Sequence, residues 1–222
     1  MTIVSTQSAY KIVVLISGNG SNLQAIIDEI ETGNINAEIS AVISNRADAY
    51  GLKRAEKAGI ANEFLDHKAF DSRESFDKKL RKSIDKYEPD LLVLAGFMRI
   101  LTDAFVEHYH GRMINIHPSL LPLYRGLHTH QRALSDKQRE HGASVHFVIP
   151  ELDAGVVIMQ GIVAVEPDDT EDTLAERVHV IEHIIYPKTV KWFADNRLQL
   201  IDNHVFMDNE KLEGPIKINN PL

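Results

Sequence analysis

Ile12-Val13-Val14-Leu15-Ile16 runs straight into Ser17-Gly18-Asn19-Gly20-Ser21-Asn22, after which Leu23, Ile26, Ile27 and Ile30 recur at helical spacing. An unbroken apolar run is what a parallel strand covered on both faces requires, and the period then switches from strand to helix. Strand, glycine turn and helix in that order form the first unit of an open α/β sheet. Gly18 and Gly20 let the backbone turn tightly, and unpaired N–H groups at the helix start can receive an anion. Ser21 and Asn22 add a hydroxyl and an amide. The turn is not a Walker A loop, since no Gly-Lys-Ser/Thr follows, and Leu23 breaks the G-x-G-x-x-G spacing. Two readings stay open here: a cradle for a phosphate monoester, or a tight turn that merely starts a helix.

The alternation continues outward from that unit. Strands are expected over Ile39–Ile43, 62–65, Leu91–Ala95 and Met113–His117, with a helix over 48–58 and another presenting Phe76, Leu80 and Ile84 on one face. The character then changes. Residues 144–148 and 156–163 read as strands joined through a polar turn with Asp153 and Gly155, close enough to pair antiparallel. A long helix is expected from Thr173 to Ala194, with Thr173 and Glu176 at capping-box spacing. From Asp208 onward, Gly214, Pro215, Asn219, Asn220 and Pro221 read as loop and frayed end. The expected fold is α/β, an open, mostly parallel twisted sheet with helices on both faces, extended by an antiparallel C-terminal part.

Composition narrows the function. A chain of 222 residues, 44% hydrophobic and 25% charged, fits one soluble globular domain. The formal net charge of -8 argues against a broad nucleic-acid surface, while leaving room for a local phosphate pocket. The absence of cysteine excludes a thiol nucleophile, a thiolate metal site and a disulfide, and suits a reducing cytosol. No apolar run approaches the ~20 residues that span a bilayer. Met1 to Tyr10 lacks a basic region followed by an apolar run, so no signal peptide is expected and a cytoplasmic location is.

The chemistry concentrates at Met113-Ile114-Asn115-Ile116-His117-Pro118-Ser119. Residues two apart on a strand share a face, so Asn115 and His117 stand side by side, and Pro118 ends the strand. The carboxyl end of a strand in an open α/β sheet is where ligands bind. Asp153 could accept from the imidazole and favour its charged form, and Asn115 could donate to a developing oxyanion. Ser119 has no G-x-S-x-G elbow and more plausibly shapes the turn. His128 and His130, with Asp136 or His141, invite a metal reading, but their spacing does not bring them together on a helix and no H-E-x-x-H exists. No metal is expected. His108 and His110 flank Tyr109 at an exposed helix end. His146 alternates with Ser144 and Val148, where it could support the pocket. Phe97-Met98-Arg99-Ile100-Leu101 reads either as loop packing or as a wall for a flat aromatic ligand.

These three stretches, Ser17 to Asn22, Phe97 to Leu101 and Asn115 to Pro122, closely resemble those of the folate-dependent phosphoribosylglycinamide formyltransferases, with similarity over residues 11–201. The resemblance implies transfer of a formyl group from 10-formyltetrahydrofolate, a reduced folate co-substrate, to the amino group of 5-phosphoribosylglycinamide in purine synthesis. It implies Asn115, His117 and Asp153 as the catalytic trio, with Asp153 supporting the imidazolium and a proton relay. Gly20, Ser21 and Asn22 match the phosphate-holding turn, and His179, Val180, Ile181 and Glu182 match a helical segment on the same substrate. Arg73, Met98, Arg99, Ile100, Leu101, Ile149, Pro150, Glu151, Leu152 and Asp153 match the folate side, which Asn115 also borders. Ala154 and Val156 stand where the family more usually has Gly and Pro.

On this resemblance, residues 1–222 form one domain, divided into a phosphate-binding half (11–110), a catalytic and folate-binding half (111–201) and a tail (202–222). Assembly as monomer or homodimer is expected, with neither nucleic acid nor membrane as partner. Formyltetrahydrofolate hydrolase shares a similar trio but carries an additional amino-terminal domain. Methionyl-tRNA formyltransferase carries an extra tRNA-binding domain. A non-catalytic nucleotide-binding protein would need the phosphate turn alone.

Overall fold

The computed structural model describes residues 9–219. The lead at Met1–Ser8 and the tail residues Asn220 and Pro221, both read above, lie outside the described residues. β1 (Tyr10–Ile16) is buried on both sides, as its composition demands: Ile12, Val14 and Ile16 enter one core, Val13 and Leu15 the other. Burying each such side chain contributes on the order of 1.5–3 kcal/mol. The other strands are β2 (Ala37–Ser44), β3 (Asn62–Phe64), β4 (Leu91–Leu94), β5 (Met113–His117), β6 (Glu140–Phe147), β7 (Val157–Ala164), β8 (Leu198–Ile201), β9 (His204–Met207), β10 (Glu210–Lys211) and β11 (Ile216–Asn219).

Eight of them form one sheet in the order β11-β7-β6-β5-β4-β1-β2-β3. β6 runs antiparallel to β5 and β7, and every other pairing in this sheet is parallel. The chain builds outward from β1 through β2 to β3, then crosses back to lay β4 on the other side of β1. That reversal opens a crevice beyond the carboxyl ends of β1 and β4, the usual ligand position of such sheets. β4 pairs with β5, Leu92 opposite Met113, so one sheet spans both halves of the chain.

Helices cover both faces. α1 (Ser21–Glu31), α2 (Tyr50–Lys57) and α6 (Glu171–Ala194) supply Leu23, Ile26, Ala55, Val178 and Ile185 to the first core. α3 (Arg73–Asp85) and α4 (Asp103–His108) supply Phe76, Leu80, Ile84, Phe105 and Val106 to the second. A short α5 (Thr129–Ser135) precedes β6. No helix among the described residues is long and apolar enough to cross a membrane.

Two expectations are corrected. The capping box of α6 is Thr170 with Thr173, not Thr173 with Glu176: Thr173 N donates to Thr170 Oγ1 at 3.2 Å and Thr170 N to Thr173 Oγ1 at 3.0 Å. A second hydroxyl can close the box as well as a carboxylate, so the helix starts earlier than the Glu spacing indicates. The tail is not loop throughout. β8, β9 and β10 form a small antiparallel sheet, and β11 lies parallel against β7, Ile216 opposite Met159. Ile216 and Ile218 alternate with polar residues and pack on the first core, which outweighs the nearby glycine and proline.

Candidate active site

Three loops meet at the carboxyl ends of β1, β4 and β5. At β1, Gly20 takes φ +73°, and a Cβ there would sit 2.8 Å from Gly51 Cα, so the position needs glycine. Gly20 is the N-cap of α1 and offers no side-chain oxygen, and the first turn holds no acidic residue. The N–H groups and the positive end of the helix are left for an anion. Arg54 braces this turn, donating from Nε to Asn19 O (2.9 Å), from one terminal nitrogen to Asn19 Oδ1 (2.9 Å) and from the other to Gln24 Oε1 (3.2 Å). Asn22 Nδ2 donates to Glu182 Oε2 at 2.9 Å, joining α1 to α6, while Asn22 Oδ1 is buried without a partner. Burial pushes the Glu182 carboxyl up, against the opposing donation from Asn22. A surface cavity of about 390 Å³ beside the turn is lined by Ser21, Gln24, Asp28, Arg54 and His183.

At β5, Asn115 and His117 share a face as the strand period requires, and the antiparallel register sets His146 opposite Asn115 and Ser144 opposite His117. His146 Nδ1 lies 2.8 Å from Phe147 O and therefore carries the hydrogen, leaving Nε2 to accept from Asn115 Nδ2 at 3.2 Å. Burial lowers the pKa of His146, which keeps this ring neutral and fixes the amide's orientation. His117 Nε2 lies 2.9 Å from Tyr124 O, and Nδ1 lies 3.4 Å from Asp153 Oδ2. Both ring nitrogens face acceptor oxygens. Asp153, at φ +48°, also accepts from Gly126 N at 3.0 Å, and its other oxygen is 3.8 Å from His146 Nε2. Gly155 fixes the turn beyond Asp153, since a Cβ there would lie 1.7 Å from Phe147 O.

The remaining candidates are placed unevenly. Met98 is 70% and Ile100 59% exposed, while Leu101 is buried and the Arg99 guanidinium lies 6.0 Å from the centre of the Phe76 ring. Arg73 is exposed at the start of α3, beside a cavity of about 440 Å³ that also touches Asp77, Thr102 and Phe105. Neither cavity includes Asn115, His117 or Asp153. Ile149 is half-buried, Pro150 and Leu152 are exposed, and Glu151 pairs with Arg125 at 2.6 Å. That ion pair ties the loop after Pro118 to the loop before Asp153. On α6, His179 and Val180 are exposed and Glu182 reaches Asn22. Ile181 does not join them. It is wholly buried in the first core against Gly161, because an i,i+1 step on a helix turns a side chain away from its neighbour. His130 Nδ1 and His141 Nε2 pair at 3.0 Å, and among the described residues no three His, Cys, Asp or Glu could hold a metal. Arg54, Tyr124 and Gly126 have no sequence signal of their own. Tyr124 and Gly126 enter through backbone groups and Arg54 through its guanidinium, at contacts that only the fold creates.

Comparison with known proteins agrees over most of the chain. The formyl transferase family model matches residues 10–190. The phosphoribosylglycinamide formyltransferase of Escherichia coli (strain K12) is 58% identical over 201 residues, 90% of this chain and 95% of the relative. The trifunctional purine biosynthetic protein adenosine-3 of Homo sapiens is 44% identical over 193 residues, 87% of this chain but 19% of its own length. The solved phosphoribosylglycinamide formyltransferase of Coxiella burnetii, in complex with CHES, superposes with a TM-score of 0.90 at 56% identity, covering 94% of this chain and 100% of that one.

Proposed function

We infer the function from one premise: the chain belongs to the phosphoribosylglycinamide formyltransferase family. It is a transferase that moves the formyl group of 10-formyltetrahydrofolate to the amino group of 5-phosphoribosylglycinamide in purine biosynthesis. The observation that carries a mechanism is the closed chain of contacts Phe147–His146–Asn115 beside His117–Asp153.

In our reading the acceptor amine attacks the formyl carbon. A C–N bond forms, the carbonyl electrons move onto oxygen, and the oxyanion is met by the amide N–H of Asn115 and an N–H of His117. Both His117 nitrogens are engaged in the free protein, so the Tyr124 carbonyl is the partner that gives way; catalytic hydrogen bonds often form fully only with substrate bound. Asp153 supports the positive ring. Collapse breaks the bond to the folate nitrogen, and the proton lost by the amine ends on that leaving nitrogen. Holding two substrates in register supplies much of the acceleration.

Gly20 to Asn22 hold the acceptor's phosphate in this proposal, supported by the uncapped start of α1. His179 and Glu182 face the same substrate. Arg73, Met98 to Leu101 and residues 149–153 receive the folate, supported by the exposed apolar side chains of Met98, Ile100 and Leu152. No metal enters the scheme. Cytoplasmic location, and assembly as monomer or homodimer, belong to the same proposal.

The test is a two-acceptor assay. Loss of 10-formyltetrahydrofolate should require 5-phosphoribosylglycinamide and yield its formylated product in equal amount. Release of formate at the same rate without the acceptor would reassign the protein as a hydrolase.

A further inference from the structure

Phe97 to Leu101 form neither helix nor strand, and Met98 and Ile100 expose most of their surface. Leu101 enters the second core and Phe97 packs against it, while the stretch between them is left without core contacts of its own at Met98 and Ile100. The backbone at its two ends is also held by buried side chains that belong to other elements. At one end Met98 N donates to Ser17 Oγ at 2.8 Å, and Ser17 Oγ donates onward to Asn45 Oδ1 at 2.5 Å. Ser17 N also reaches Gly96 O at 3.1 Å. Asn45 is held in turn by His67, whose Nδ1 lies 3.2 Å from Asn45 O. Ser17 and Asn45 are each 5% exposed. At the other end Thr102 N donates to Asp77 Oδ2 at 2.6 Å, and Asp77, one helical turn beyond Arg73 on α3, is 3% exposed.

We propose that Ser17 and Asp77 are positioning residues for the folate side of the reaction, fixing the two ends of residues 98–102 so that Met98 and Ile100 stand ready for the ring. This rests on the assignment of Met98 to Leu101 to the folate. A serine or asparagine could have satisfied Thr102 N–H without placing a charge inside the protein, where desolvation opposes it. Burial raises the pKa of the Asp77 carboxyl, against the lowering effects of the Thr102 hydrogen bonds and of Arg73 and Arg99, and its Oδ1 is buried without a partner. Asp77 thus orders the segment's end through the acceptor oxygen it offers to Thr102 N. Ser17 acts on the other end of the segment. It opens the glycine turn, but its hydroxyl contacts Asn45 and Met98 and not Gly20 to Asn22, so its removal bears on the folate segment.

The variants S17A, D77A and D77N test this. Hydrogen exchange in the ligand-free protein should be about tenfold or more faster at the Met98 amide in S17A and at the Thr102 amide in D77A. The folate KM should rise about tenfold in both, the factor expected when a buried donor loses its partner. The KM for the ribonucleotide acceptor should stay within about twofold. D77N keeps an acceptor oxygen, so it should recover the Thr102 protection and most of the folate KM. Lowered stability with an unchanged folate KM in the folded protein would overturn the proposal, as would a parallel rise in both KM values. Should D77A not fold, S17A and D77N decide it by the same readings. Wild-type protein without transferase activity would instead defeat the functional assignment, and the exchange at Met98 and Thr102 would still report whether the segment hangs from these two residues.

Discussion

Replacing Asn115 by alanine separates the two roles that our reading gives its amide. The first is structural: its Nδ2–H meets His146 Nε2 at 3.2 Å, and His146 is 2% exposed. Deleting the amide leaves that nitrogen buried without a donor, which costs about 1–3 kcal/mol. For a chain of this size the melting temperature should fall by roughly 2–4 °C per kcal/mol. The second role is chemical. In the proposed mechanism the amide's other N–H meets the oxyanion, and loss of one such donor lowers turnover by ~10²–10³-fold. The two effects are read by different measurements, thermal unfolding for one and kcat with saturating substrates for the other. H146A supplies the control, because it leaves the donor present but unaimed; its kcat should drop less than that of N115A while its stability drops at least as much. If folded N115A retains kcat within about tenfold of wild type, Asn115 is a packing residue and the oxyanion assignment is wrong.

Three further outcomes follow from the geometry. D153N preserves shape but removes the charge opposite His117, so kcat should fall and its pH profile should change while the KM for the ribonucleotide acceptor stays nearly constant; an unaltered profile refutes the role. G20V forces a Cβ to 2.8 Å from Gly51 Cα at φ +73°, and should weaken binding of the ribonucleotide acceptor far more than that of the folate; equal effects on a phosphate-free acceptor analogue would show the turn holds no phosphate. Burial lowers the pKa of His141 to about 4, and that of His130 also falls, so the unfolded chain binds more protons than the folded one below the ordinary histidine pKa of about 6.5. The stability this confers is complete above that value and lost as pH drops toward 4, by up to about 3 kcal/mol at ~1.4 kcal/mol per pKa unit. Urea midpoints at pH 7 and pH 4.5 should therefore differ more in wild type than in H141Q, and identical differences would reject the assignment.

The parallel half of the sheet was open to reading because its strands carry their own signal. Ile12 to Ile16 and Leu91 to Leu94 are apolar on both faces, and only a doubly covered strand tolerates that. Asn115 and His117 were legible for the opposite reason, two polar groups where burial should have forbidden them. The capping box at Thr170 escaped because a hydroxyl took the place expected for a carboxylate. The small second sheet had a signal that loop composition masked. Asp202-Asn203 and Asp208-Asn209 both adopt positive φ, the conformation of tight hairpin turns, between short alternating strands. Ile181 shows the limit of carrying a segment over whole: four consecutive helical residues point in four directions, and one of them enters the core. Tyr124, Gly126 and Arg54 act through or upon backbone groups, which leave no trace in residue type.

β11 also has a bearing on how the chain is made. β7 pairs with β6, which directly precedes it among the strands, yet its outer partner comes from residues 216–219, synthesised after every other described strand. Through that interval the nascent sheet presents a row of unpaired amides and carbonyls from Met159 to Ile162, the kind of edge that other unfinished chains can join. The last described strand is in this sense a seal against self-association during biosynthesis. Truncation before Ile216 should show itself first as insoluble protein in the expressing cell, with the chemistry of whatever remains soluble little disturbed.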